Sequence, residues 1–163
     1  MNWNGVFSLS CRNKITGVRK WTDTVHNALT DEGEKNILDT YLRNLNVPIS
    51  FYIGLTSMSS IDESTTLLSL TNEVIAAEYS RQLVERSATG WPQLLIDTND
   101  NNFQAISKVV SFEANTSWSM VNKLFMSTTS DNSGLLISFG NLSTDRTLVE
   151  NDILDITYKI KLA

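Results

Sequence analysis

The chain has 163 residues, 41% of them hydrophobic, and a formal net charge of −5 at pH 7. This length suits one domain, residues 1–163, that buries roughly 70% of the surface of its unfolded chain. Four Trp, six Phe and four Tyr require an interior and exclude a disordered chain. No window holds the run of about 18 apolar residues that a membrane helix needs. The negative charge argues against binding the phosphate backbone of nucleic acid.

The strongest compositional bias is toward uncharged polar residues. Asn, Ser and Thr number 16, 19 and 17, which together make 52 of the 163 residues. These side chains bond to nearby backbone in turns and on β surfaces and suit helix interiors poorly. The composition therefore predicts a mainly β protein. The N-terminus lacks a basic segment followed by an apolar core, so we expect no secretory signal.

The first strands are predicted from an alternating pattern. Residues 3–11 place apolar side chains at every second position, which is typical of a half-buried strand. Residues 12–14 can turn the chain, and residues 15–21 can return as a second strand, with Gly17 at a bulge or tight bend.

One helix is predicted over residues 31–44. Thr30 offers a hydroxyl cap, and Asp31 and Glu32 place carboxylates beside the free N–H groups of a helix start. Asn44 can end the helix, and Pro48 cannot continue it. The apolar residues of the helix form one stripe, which comprises Ile37, Leu38, Tyr41, Leu42 and Leu45.

Beyond the helix, short apolar segments are separated by turn residues. The predicted strands cover residues 49–56, 79–87, 91–96, 106–114, 118–127, 135–142 and 154–162. The last alternates without exception, with Lys159 and Lys161 on its polar face. Eight or nine strands at this spacing predict an antiparallel β-sandwich, of jelly-roll or another Greek-key form, with the one helix inserted early.

Few residues offer catalytic chemistry. His26 is the single histidine and Cys11 the single cysteine, so an intrachain disulfide is excluded and we expect no zinc site. We interpret His26 as a turn residue before the helix and Cys11 as a small buried side chain. The carboxylate pairs close in sequence suit a helix start, a solvated loop and a turn, and they are Asp31/Glu32, Asp62/Glu63 and Glu150/Asp152. We therefore expect no enzyme activity and no cofactor.

Two binding chemistries remain open. Asp97, Asn99 and Asn101 follow the spacing of calcium-loop ligands, but Lys108 stands where a bidentate Glu is needed, which favours a solvated turn. Trp21 and Trp91 lie at strand ends, where an exposed ring can stack on a sugar. A glycan-binding module is therefore the third functional hypothesis.

Several short stretches, in order, resemble a group of tailed-bacteriophage structural proteins. They are HNALTDEG at 26–33, FYIGLT at 51–56, AEYSRQ at 77–82, and the ending from Asn151-Asp152 through the final alternating strand. Glu78 and Asn151 stand where that group often has Gly. The resemblance implies a virion component that carries no catalytic residues.

Among virion roles, a β-rich chain of this kind favours capsid decoration. We expect a cement protein, assembled in the host cytoplasm, that binds the outer surface of the major capsid protein shell on the phage particle as a homotrimer. The alternative is a tail, baseplate or fibre-adaptor protein.

Attachment residues are predicted from exposed apolar positions. Residues 57–72 form a long surface excursion without a clear period, and such loops are often functional. The predicted interface residues are Trp3, Met58, Ile61, Leu67 and Leu68. An equal alternative is that the apolar residues of the loop fold back over the core of the domain.

Overall fold

The computed structural model describes residues 3–162 and is mainly antiparallel β with one α-helix. In chain order, the strands and the helix are β1 (Trp3–Asn13), β2 (Arg19–Leu29), α1 (Asp31–Arg43), β3 (Ser50–Thr56), β4 (Gln82–Glu85), β5 (Gln93–Ile96), β6 (Phe103–Ile106), β7 (Val110–Ala114), β8 (Val121–Ser127), β9 (Leu136–Arg146) and β10 (Asp152–Leu162). A short 3₁₀ helix (Leu67–Ser69) lies between β3 and β4. The predicted β class and single helix are confirmed.

The strands form a curled sheet with the order β4-β3-β8-β9-β2-β1-β10-β6-β5, and β7 pairs with β10 beside β6. Strand β2 belongs to both layers, because its residues 21–26 pair with β1 whereas residues 27–29 pair with β9. The sheet therefore folds over on itself into a sandwich-like arrangement. The longest ladder joins β1 to β10, from Trp3 opposite Leu162 to Asn13 opposite Asp152.

The core lies between the two layers. Its largest fully buried side chains include Phe7, Phe112, Leu124, Leu154 and Tyr158. The rings of Phe7 and Tyr158 stack with their centroids 4.0 Å apart. The period-two pattern of β1 and β10 is confirmed, since Phe7, Leu9 and the alternate residues of β10 point inward.

Most predicted strand boundaries differ from the structure by a few residues, and two regions differ most. The second strand begins at Arg19 and runs to Leu29, so His26 lies in a strand and not in a segment before the helix. Residues 106–114 are not one strand but parts of β6 and β7, separated at Ser107 and Lys108. The interruption arises because the Ser107 hydroxyl accepts the N–H of Tyr158 and the Lys108 N–H is donated to the Gly90 carbonyl, each at 2.8 Å.

Helix α1 begins as predicted and ends at Arg43, one residue before the predicted end, but its apolar stripe is exposed except at the half-buried Ile37. The Thr30 hydroxyl accepts the Gly33 N–H at 3.0 Å, and Asn44 ends the helix in the left-handed conformation. A stripe of this kind usually faces the core. Here the buried residues of α1 are Gly33, Asn36 and Asp39.

Within residues 3–162, no helix has the length and apolar run that crossing a bilayer requires.

Candidate functional site

The loop at residues 57–72 is closed at its base and packed against the domain. Its ends meet where Ser57 donates its N–H to the Asn72 carbonyl at 3.0 Å and the Thr56 hydroxyl donates to the Thr71 carbonyl at 2.8 Å. One oxygen of Glu32 accepts the N–H groups of Leu67 at 3.0 Å and of Leu136 at 2.7 Å. This carboxylate joins the loop to α1 and β9.

The predicted interface residues of this loop divide into buried and exposed groups. Ile61 and Leu67 are buried with Phe125, Leu136 and Phe139, and Met58 packs partly against the same cluster. Leu68 differs, with 82% of its surface exposed. The alternative in which the apolar residues cover the core therefore describes Ile61 and Leu67, whereas Leu68 lies outside this buried cluster.

Trp3 lies at the border of an apolar cleft of about 380 Å³ at one end of the sandwich. The cleft opens between α1 and the two layers and is lined by Trp3, Tyr41, Phe51, Trp91, Phe103 and Ile160, among others. Both layers thus contribute aromatic or aliphatic side chains. Since most of the lining is apolar, this cleft suits apolar side chains or another apolar group.

Arg81 of the motif AEYSRQ is the buried centre of a cluster of polar groups. Arg81 has 2% of its side chain exposed and holds Glu73 through two hydrogen bonds of 2.9 and 2.8 Å. The Tyr79 hydroxyl also donates to Glu73, at 2.8 Å. Arg81 further donates to the Thr129 carbonyl at 3.2 Å, which links the segment before β4 to the turn between β8 and β9. The motif is visible in the sequence, but the burial of Arg81 among these polar partners is not predicted from it.

Glu78 and Asn151, the two positions where the resembling proteins often have Gly, have local structural roles. One Glu78 oxygen accepts hydrogen bonds from Trp118 Nε1 at 2.8 Å and from the N–H groups of Asn115 and Thr116 at 3.0 Å. The Trp118 bond, with the others, lowers the pKa of Glu78 to about 2. Asn151 has a φ of 70° and so adopts the left-handed conformation that Gly would take.

The candidate reactive groups are Cys11, His26 and Asp152. Cys11 is buried in β1, and burial, followed by the nearby charge of Asp152, raises the pKa of its thiol to about 11. A thiol with so high a pKa is a poor nucleophile at neutral pH. His26 is exposed on β2 opposite Val6. The carboxylate of Asp152 pairs with Lys20 at 2.5 Å and accepts the Val149 N–H at 3.1 Å.

Lys161 pairs with the loop whose Asp97, Asn99 and Asn101 follow the spacing of calcium ligands. Lys161 Nζ lies 3.1 Å from a carboxylate oxygen of Asp97 and also pairs with Asp100. Asn99 donates its side-chain amide to Asp97 at 2.9 Å. No group of three or more His, Cys, Asp or Glu suited to a metal ion occurs among residues 3–162.

The two tryptophans considered for glycan stacking already contact other side chains. The Arg146 guanidinium lies 4.6 Å from the centroid of the Trp21 ring. Trp91 packs edge-on against Phe51, with their centroids 6.4 Å apart, and lines the cleft.

Comparison with known protein families assigns the chain to one of them. A family model described as podophage GP4 fiber I protein gp80 matches residues 28–160. The chain belongs to this family. It is therefore a structural component of a tailed-phage virion, which confirms the resemblance drawn from the sequence. No curated protein matches the chain.

Proposed function

We propose that the protein is a non-enzymatic part of the fibre or tail apparatus of a podophage. The family match over residues 28–160 is the main support for the proposal, because the description of the family names a fiber protein. This supports the tail, baseplate or fibre-adaptor alternative better than capsid decoration. The partners we propose are further tail or fibre proteins of the particle and other copies of this chain.

The chemistry of the described residues is consistent with a structural role. The thiol of Cys11 is buried, and Asp152 and Glu32 are engaged in an ion pair and in backbone hydrogen bonds, respectively. Groups engaged in this way stabilise the fold. Virion proteins occur in repeated copies, so modest contacts add across an assembly.

Location on the particle tests the proposal. Virions that carry a gold-labelled version of the protein are imaged by electron microscopy. We expect label confined to the tail vertex. Label spread over the whole shell would contradict the proposal and restore the capsid decoration hypothesis.

Leu68 is the loop residue we propose for attachment to the particle, because it is exposed while its neighbour Leu67 is buried. The variant Leu68→Asp should reduce incorporation into virions while leaving the circular dichroism spectrum unchanged. Ile75→Asp is the matched control, since Ile75 is 94% exposed and lies outside the loop. Equal incorporation of Leu68→Asp and wild type would remove Leu68 from the attachment surface.

A further inference from the structure

The outer face of α1 carries an apolar ridge that none of residues 3–162 covers. We define the α1 ridge as Leu38, Tyr41 and Leu42, which follow the i, i+3, i+4 spacing of one helix face, together with Leu45 directly after the helix. All four are exposed, and Tyr41 is exposed to 86%. The ridge borders the apolar cleft, because Tyr41 belongs to both.

The rotation of α1 is fixed by contacts on its other face. A Cβ added at Gly33 would lie 2.1 Å from the Ile137 carbonyl oxygen, so helix and strand are in close contact there. On the same side of the helix, Glu32 accepts the N–H groups of Leu67 at 3.0 Å and of Leu136 at 2.7 Å. These polar groups need their partners. The helix therefore cannot turn its ridge inward without breaking them.

The exposed apolar surface continues across the cleft. Leu94, Phe103 and Leu162 line the cleft and are exposed to 73%, 60% and 43%. Together with the α1 ridge they expose roughly 900 Å², taking about 200 Å² for a large exposed residue. The largest apolar patch of a typical monomer is about 300–600 Å². A stable interface buries about 800 Å² on each partner, so the area matches what such an interface needs.

The charges around this surface suit contact between identical copies. None of the seven residues is charged, so two copies can meet there without burying like charges. The helix face that carries the ridge continues to the exposed Glu34, one turn before Leu38, and the cleft is lined by Arg86. A ridge that enters the cleft of a second copy therefore brings groups of opposite sign to its border.

We infer that the α1 ridge and the cleft form the contact between copies of this chain, with the ridge of one copy packed in the cleft of another. Ridge and cleft adjoin on one chain, so two copies related by a two-fold axis can each place the ridge in the cleft of the other, and each copy then buries the whole surface. The inference does not depend on where the protein sits in the virion.

The test is the oligomeric state of the purified full chain. Sedimentation velocity and light scattering over a range of concentrations should show an oligomer for wild type. The double variant Tyr41→Lys/Leu42→Lys should be a monomer at the same concentrations, because it places two charges in the contact. We expect an association constant at least about a hundredfold lower.

A matched control separates the contact from general solubility. Ile15→Lys/Ile75→Lys adds the same charge at residues that are exposed to 76% and 94% and lie outside α1 and the cleft. This control should remain an oligomer. Phe103→Lys, on the cleft side, is the second test variant and should dissociate the oligomer without any change in α1.

Two results would overturn the inference. One is a wild-type chain that stays monomeric throughout the concentration range. The other is an oligomer that persists in both the ridge variant and the Phe103→Lys variant. Because these measurements use the isolated chain, neither result bears on the proposed place of the protein at the tail vertex.

Discussion

The loop at residues 57–72 and helix α1 show opposite relations between sequence pattern and burial. The loop has no clear period, yet it buries Ile61 and Leu67 completely or nearly so. Helix α1 has a regular apolar stripe, yet Leu42 of that stripe is 70% exposed. Contacts with distant segments explain both cases, because Glu32 ties the loop to β9 while the close approach of Gly33 to Ile137 fixes the rotation of the helix.

The largest expected effect tests the buried half of the loop. Leu67→Ala removes a fully buried side chain and should lower the free energy of unfolding by about 2–5 kcal/mol, measured by urea titration. Leu68→Ala is the matched control at the next residue and should change it by less than about 0.5 kcal/mol. Equal effects of the two substitutions would show that the loop is not packed as described.

The second prediction tests what fixes the orientation of α1. Gly33→Ala improves helix propensity but forces a Cβ against the Ile137 carbonyl. We expect a net loss of about 1–3 kcal/mol in the free energy of unfolding. Glu34→Ala, at an exposed neighbouring position, should be close to neutral. A stabilised Gly33→Ala variant would contradict the close contact between helix and strand.

The third prediction concerns another carboxylate that anchors a loop. The pKa of Glu78 is about 2 in the folded protein against 4.5 ordinarily, so its contribution to stability is present above pH 4.5. That contribution is lost as the pH falls from about 4.5 toward 2. The urea midpoint of wild type should therefore fall more steeply over this range than that of Glu78→Gln. Parallel pH profiles would show that the carboxylate does not hold residues 115–118.

The smallest expected effect concerns Asn151, which has a left-handed backbone conformation in the turn before β10. Asn151→Ala should cost about 1 kcal/mol, because Ala is disfavoured at a φ of 70°. Asn151→Gly should be within a few tenths of a kcal/mol of wild type. Thermal unfolding of the three proteins measures the difference. A neutral Ala variant would indicate that the turn before β10 adjusts without cost.

The sequence predicted the elements whose signals are local. The alternation in β10 and the Thr30 cap depend on neighbouring residues, and both are confirmed. The burial of Arg81 was not predictable, because its partners Glu73 and Thr129 come from separate segments. The exposure of the α1 stripe likewise depends on Ile137, which lies far along the chain from Gly33. The interface residues at Trp3 and Leu68 stay predictions.

The burial of Cys11 makes site-specific labelling of this protein simple. A maleimide reacts with thiolate, and the native thiol is both inaccessible and protonated at neutral pH. A cysteine introduced in place of the exposed Ile75 would therefore take up a dye or a gold cluster by itself, with the wild-type cysteine left in place. Each copy in a particle would then carry one marker at a known position.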